Sequence, residues 1–95
     1  MRLTDLDAKF YSENGRDGMG VLFLNPNHQN DYIAVPFENP LDGGPKGEGQ
    51  GYPVACHWWV RTGDTIETLS LSPSVNAKGA AGWHGWIRNG EAVNA

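Results

Sequence analysis

Glycine and proline divide this chain into pieces too short for long helices. The 95 residues include 13 glycines and 6 prolines; residues 1–14 are the longest stretch free of both, and every other such stretch has nine residues or fewer. Strands fit between such breaks, whereas helices of ten or more residues do not. The pattern therefore predicts a mainly β chain, and no apolar run approaches the length of a membrane-spanning helix.

A chain of this length forms one domain, and residues 1–95 are interpreted as a single domain. Four tryptophans and three tyrosines supply large side chains for a thin core. The net charge of −4 lacks the surplus of Lys and Arg that general nucleic-acid binding requires. The single cysteine excludes an internal disulfide, and no signal peptide opens the chain, so a reducing cytoplasm is expected.

Several short segments have the composition of strands. They lie at residues 19–24, 32–37, 54–61, 66–71, 86–88 and 91–93. The last two flank Asn89-Gly90, which favours a hairpin with a type I′ turn. Five or six such strands predict a small antiparallel sandwich or a partly open barrel.

Two segments fall outside this strand pattern. Residues 1–14 predict at most one short helix, with Phe10 and Tyr11 as an alternative start of a strand. Residues 38–51 are rich in glycine and proline, and they predict a long exposed loop of the kind that is often functional.

One side-chain pattern, His-x-Trp-[Val/Ile]-Arg, occurs twice, at residues 57–61 and 84–88. We call these segments the first repeat and the second repeat. Side chains alternate between the two faces of a strand. On the first strand Val54, Cys56, Trp58 and Val60 are therefore expected in the core, and on the second Trp83, Gly85 and Ile87. The opposite faces carry His57, Trp59, Arg61, His84, Trp86 and Arg88.

If the two strands are neighbours, these six side chains form one basic, aromatic surface on an acidic protein. Trp and Arg dominate protein interfaces, so the surface predicts binding of a protein partner. The alternative is a small anionic ligand, a nucleotide or sugar phosphate, bound with Ser72 and Ser74 and with the 38–51 loop as a lid. A structural role is also open, because Trp packs more often than it binds.

Metal and catalytic sites have weaker signals. The candidate metal ligands are His28, Cys56 and His84, but their spacing matches no zinc motif, and Cys56 is better explained as a small buried hydrophobic residue. No catalytic motif is present, so the chain is expected to be no enzyme and to need no cofactor.

The last third of the chain resembles a family of small phage and prophage proteins of unknown function. The similarity lies in residues 68–75, Thr-Leu-Ser-Leu-Ser-Pro-Ser-Val, and 82–91, Gly-Trp-His-Gly-Trp-Ile-Arg-Asn-Gly-Glu. Residues 1–7 and 35–44 are also similar. Members often have the misleading label "ammonia monooxygenase", for which this chain has no ligand set.

In that family a Cys-Pro-x-Cys follows the strand that here ends at Leu24, and another Cys precedes the Trp-His-Gly. This chain has Asn25-Pro26-Asn27-His28 at the first place and Ala80-Ala81-Gly82 at the second. The resemblance therefore implies the fold, a phage origin and the cytoplasm of an infected bacterium, with the zinc site lost. It favours a non-enzymatic accessory protein that binds a host protein to modulate or inhibit a host or defence process. A degenerate zinc-binding structural protein is a further alternative.

Overall fold

The computed structural model describes residues 1–28, 30–47, 57–77 and 82–95. These residues form eight strands in three antiparallel sheets, together with two short 3-10 helices at Leu3–Leu6 and Ile66–Thr68. The strands are β1 Lys9–Glu13, β2 Arg16–Leu24, β3 Tyr32–Pro36, β4 Val60–Thr62, β5 Ser70–Ser72, β6 Val75–Ala77, β7 Trp83–Arg88 and β8 Glu91–Asn94. The predicted mainly β fold is confirmed, with more strands than the five or six expected. Neither 3-10 helix in these ranges has the length or apolarity to cross a membrane.

The N-terminal sheet has the order β1-β2-β3. Its first hairpin turns at Asn14-Gly15, where both residues have positive φ, 53° and 77°. Asn-Gly is the preferred pair for a type I′ turn because both of its central residues need that conformation. The predicted strands at residues 19–24 and 32–37 correspond to β2 and β3. Phe10 and Tyr11, the alternative start of a strand within residues 1–14, lie in β1.

The C-terminal sheet has the order β6-β7-β8, and its hairpin turns at Asn89-Gly90 as predicted. Gly90 also anchors this turn, because its N–H donates to the Leu69 carbonyl at 2.8 Å. A Cβ on Gly90 would lie 2.3 Å from the Glu67 carbonyl oxygen, and its φ is +79°. Only glycine fits there, so the turn is fixed against the second 3-10 helix.

The third sheet pairs β4 with β5, and here the prediction of a strand over residues 66–71 is wrong in its first half. Residues Ile66–Thr68 form a 3-10 helix, and the strand begins at Ser70. Thr65 and Thr68 bond reciprocally, with 2.7 Å between their hydroxyl oxygens. This capping box satisfies backbone groups locally, and it outweighs the strand preference of Ile66 and Thr68.

One hydrophobic cluster joins the three sheets and the first 3-10 helix. Leu3 and Leu6 of that helix are fully buried, and Phe23 of β2 meets Trp83 of β7 edge to face with centroids 5.9 Å apart. The most buried large side chains are Trp83, Phe23, Phe37, Leu3, Leu6, Ile33, Leu69 and Ile87. The aromatic rings thus contribute much of the core that aliphatic residues provide in other small domains.

The predicted exposed loop 38–51 is described only to residue 47, and residues 48–51 lie outside the described ranges. The described part is anchored on the β1–β2 hairpin. Arg16 donates to both carboxylate oxygens of Asp42, at 2.7 and 2.9 Å, and to the Pro45 carbonyl at 2.9 Å. The Leu41 N–H donates to the Gly18 carbonyl at 2.9 Å. These contacts place the segment on β2 and not as a lid on the C-terminal sheet.

Candidate functional site

The second repeat lies on β7, the central strand of the C-terminal sheet, with the alternation that the sequence predicts. Its buried set is Trp83, Gly85 and Ile87. Its outward set is His84, Trp86 and Arg88, of which the first two are partly buried and the last is exposed. The predicted faces of this strand are therefore confirmed.

The strands beside β7 extend this outward surface. Cross-strand partners share one face of a sheet, and the register places Asn76 opposite His84 and Val93 opposite Trp86. Val93 is 41% exposed, a high value for a valine. Ser74 adjoins them, because its hydroxyl oxygen lies 3.2 Å from His84 Nε2. We name this surface the β7 face; it comprises Ser74, Asn76, His84, Trp86, Arg88, Glu91 and Val93.

Arg88 lies against an aromatic ring on this surface. Its guanidinium carbon lies 4.5 Å from the centroid of the Trp86 indole, which is a cation–π contact. None of the salt bridges among the described residues involves Arg88. Glu91, its cross-strand partner, instead lies 3.8 Å from the N-terminal ammonium of Met1. The guanidinium is thus held near the Trp86 ring and still free to bind an anion.

The first repeat departs from its predicted arrangement. Residues 54–56, including Cys56, lie outside the described ranges, and β4 begins only at Val60. Trp59 was expected to face outward, but it is 4% exposed and belongs to the core. Val60 was expected in the core and is 50% exposed, while Trp58 is only partly buried beneath the Lys46 ammonium. The predicted faces are therefore wrong for Trp59 and Val60, while His57 is exposed as expected.

A backbone junction explains the reversal. The Trp59 N–H donates to the Pro36 carbonyl and the Glu38 N–H donates to the Trp59 carbonyl, at 2.9 and 2.7 Å. Trp59 therefore forms a parallel bridge with Phe37 at the end of β3 before the chain enters β4. Alternation counted along one uninterrupted strand does not apply across such a junction.

Arg61 is turned away from the β7 face. Its guanidinium donates to the carbonyls of Gly63 and Pro40, at 2.8 and 3.2 Å, and lies 5.8 Å from the Phe37 ring. These contacts hold the segment after β3 to β4. Arg61 therefore has a structural role and leaves the predicted binding surface.

A cavity of about 270 Å³ lies beside the β7 face. It is lined by His57, Trp59, Pro73, Ser74 and Asn76. The exposed His57 ring meets Trp59 edge to face at 4.4 Å, and the Trp59 indole N–H donates to the Ser74 carbonyl at 3.2 Å. Trp59 thus contributes a wall of this cavity from within the core.

The strands of the two repeats are not neighbours, so the condition for one surface of six side chains is not met. β4 pairs with β5, β7 pairs with β6 and β8, and β5 packs against β7. Both histidines nevertheless lie near Ser74. His57 lines the same cavity as Ser74, and His84 hydrogen-bonds to its hydroxyl. Ser72 is exposed on β5 and does not line the cavity.

Sequence reasoning missed three residues of this region, namely Pro73, Asn76 and Val93. A signal for Val93 was present, because a type I′ turn at Asn89-Gly90 pairs Arg88 with Glu91 and hence Trp86 with Val93. Asn76 and Pro73 depend on how β6 pairs with β7, and no turn motif marks that pairing.

Ser74 and His84 form a hydrogen-bonded pair of a hydroxyl and a base. A serine nucleophile needs a base that a third group orients. Among the described residues, no carboxylate hydrogen-bonds to His84. The histidine therefore positions the Ser74 hydroxyl at the edge of the cavity.

The weak metal candidates do not assemble within the described ranges. No group of three or more His, Cys, Asp or Glu side chains there could hold a metal ion. His28 is exposed near Gly82, and Cys56 lies outside the described residues. At the position where the family has its first cysteine, the Asn25 side-chain oxygen accepts the backbone N–H groups of Asn27 and His28, at 2.8 and 3.3 Å.

No family model, no curated protein and no solved structure matches this chain. The resemblance to the phage family therefore stays a prediction, and the site is interpreted from its own geometry.

Proposed function

We propose that the chain is a non-enzymatic phage accessory protein that binds a host protein through the β7 face. The observation that carries this proposal is the Trp86–Arg88 stack beside the exposed Val93. Trp and Arg are the residues most enriched in interface hot spots, and an apolar neighbour helps to exclude water from them.

The dimensions of the surface favour a protein segment over a compact ligand. The outward side chains from His84 to Arg88 span four residues of strand, about 13 Å at the usual rise. The cavity of about 270 Å³ is at the lower limit for small-molecule sites. Arg88 also covers one face of the Trp86 indole, which leaves less of that ring for stacking on a base or sugar.

The test is a library of bacterial proteome fragments displayed on yeast and sorted with the purified protein. Fragments that bind wild type are then measured against Trp86→Ala, Arg88→Ala and Val93→Ala. We expect the first two to weaken binding by at least about tenfold, as hot-spot truncations do. Circular dichroism confirms that each variant is folded.

Val60→Ala is the matched control for Val93→Ala, because both valines are exposed on strands and only Val93 lies on the β7 face. Val60→Ala should leave the affinity unchanged. If no enriched fragment depends on Trp86, the proposal is wrong.

A small anionic ligand is the second candidate, and the polar lining of the cavity favours it. The polar side chains of His57, Ser74 and Asn76 lie around one opening. A thermal-shift panel of nucleotides and sugar phosphates tests this function. A ligand at 100 times its dissociation constant stabilises by about 2.7 kcal/mol, so an unchanged melting temperature across the panel contradicts it.

A further inference from the structure

The charges of this protein are distributed unevenly. The chain is acidic, with a net charge of −4, and three of its salt bridges pair a cation with a carboxylate away from the β7 face. These pairs are Lys9–Asp7, Arg16–Asp42 and Lys46–Glu38. Within the described ranges, Arg88 has the Trp86 ring as its recorded partner and no carboxylate. Arg88 is therefore a cation that no carboxylate of the described residues pairs with, since Glu91, its neighbour on the same face, lies beside the N-terminal ammonium of Met1.

The geometry of Arg88 suits a carboxylate. A guanidinium donates two parallel N–H groups to a carboxylate, and the cation–π contact holds the Arg88 guanidinium near the Trp86 ring before a partner arrives. Part of the entropy cost of ordering the side chain is then already met in the free protein.

The other end of the β7 face suits an apolar side chain. No carboxylate lines the cavity beside Ser74; Trp59 and Pro73 form its apolar walls, and His57, Ser74 and Asn76 line the rest. His84 connects this cavity to β7 through its bond to Ser74. Arg88 follows four residues later on the same face of the strand, about 13 Å away along β7.

We infer that the β7 face binds an extended acidic peptide segment of the partner. An aspartate or glutamate of that segment pairs with Arg88, and an apolar side chain three to five residues away enters the cavity. The spacing follows because Arg88 and His84, which adjoins the cavity, are about 13 Å apart along β7. An extended peptide covers this distance in about four residues, at about 3.3–3.6 Å per residue. The inference rests on the proposed function and names the chemistry of its partner.

Random ten-residue peptides displayed on yeast test this chemistry without knowledge of the natural partner. Peptides are sorted on wild type, on Arg88→Glu and on Lys9→Glu. Both variants change the net charge by the same amount, but Lys9 is an exposed residue of β1 on another sheet. Thermal melts confirm that all three proteins are folded, and Arg88→Gln replaces Arg88→Glu if the latter is not.

Wild type should enrich acidic over basic residues, with an apolar residue three to five positions from the acid. Selected peptides, synthesised with a fluorescent label and measured by anisotropy, should lose at least about tenfold in affinity with Arg88→Glu. Lys9→Glu should change the affinity by less than about threefold.

Two results overturn the inference and leave the proposed function standing. One is a set of Trp86-dependent peptides without an acidic excess. The other is an equal loss with Lys9→Glu, which would assign the preference to overall charge and not to Arg88. Failure to obtain any Trp86-dependent binder, from random peptides and from proteome fragments alike, overturns both.

Discussion

The two repeats have the same residue pattern but opposite surroundings. In the first, Trp59 is 4% exposed and Arg61 binds two backbone carbonyls. In the second, Trp86 is only partly buried and Arg88 rests on its ring at the surface. The backbone around each repeat therefore determines the role of its Trp and Arg. The first repeat forms a bridge at the end of β3, whereas the second lies on β7, the central strand of its sheet.

The largest expected effect separates the two tryptophans by stability. Trp59→Ala removes a core side chain and leaves the Ser74 carbonyl without its donor, so it should lower the free energy of unfolding by about 3–5 kcal/mol. Trp86→Ala should lower it by about 1 kcal/mol, because that ring is already partly in water. Urea titration followed by circular dichroism measures both, and equal losses would contradict the comparison.

The two arginines should differ in the same sense by a smaller amount. Arg61→Ala leaves the Pro40 and Gly63 carbonyls without their charged donor and should cost about 1–3 kcal/mol. Arg88→Ala breaks only a surface stack and should change stability by less than about 0.5 kcal/mol. The same titration measures them, and a larger loss for Arg88 would show that it has a structural role as well.

Ser74→Ala tests whether His84 is tied to the cavity. Loss of the hydrogen bond to His84 should lower the free energy of unfolding by about 0.5–1.5 kcal/mol. The NMR chemical shift of the His84 ring should change with it, while the His28 ring serves as an internal control. An unchanged His84 shift would show that the bond does not persist in solution.

Acid should loosen residues 38–47, which hydrogen-bond to Arg61 of the first repeat, before it loosens the second repeat. The Arg16 guanidinium and the Gly44 N–H lower the pKa of Asp42 from its ordinary value of 3.8 to about 2. A carboxyl group with a lowered pKa in the folded protein stabilises the fold above its unfolded pKa, and this contribution is lost as the pH falls through the folded value.

The protection factors of the amides in residues 38–47, which correct for the intrinsic slowing of exchange in acid, should therefore fall between about pH 4 and pH 2, ahead of those in β7. Asp42→Asn should remove much of that dependence. Synchronous opening of both regions would show that the Arg16–Asp42 pair has no local effect.

Sequence reasoning succeeded where structure is determined locally. The Asn89-Gly90 turn sets the register of its own hairpin, and the alternation on β7 follows from burial of Trp83 and Ile87 between neighbouring strands. The Asn14-Gly15 turn carried an equal signal, so the β1–β2 hairpin could also have been predicted.

The first repeat could not be placed in this way, because its orientation depends on a distant segment. Trp59 faces the core through backbone bonds to Pro36 and Glu38, more than twenty residues earlier in the chain. The cavity has the same origin, since it brings His57 and Trp59 against the start of β6. Contacts between distant segments such as these follow from tertiary packing, which the spacing of residues in the sequence does not predict.

The position of Trp59 gives the protein an optical reporter of its own. The indole forms a wall of the cavity and touches the His57 ring, so a side chain that enters the cavity changes the surroundings of a fluorophore. The difference in emission between wild type and Trp59→Phe isolates the signal of Trp59 with Trp83 and Trp86 in place, and its change would register occupancy of the cavity without a label.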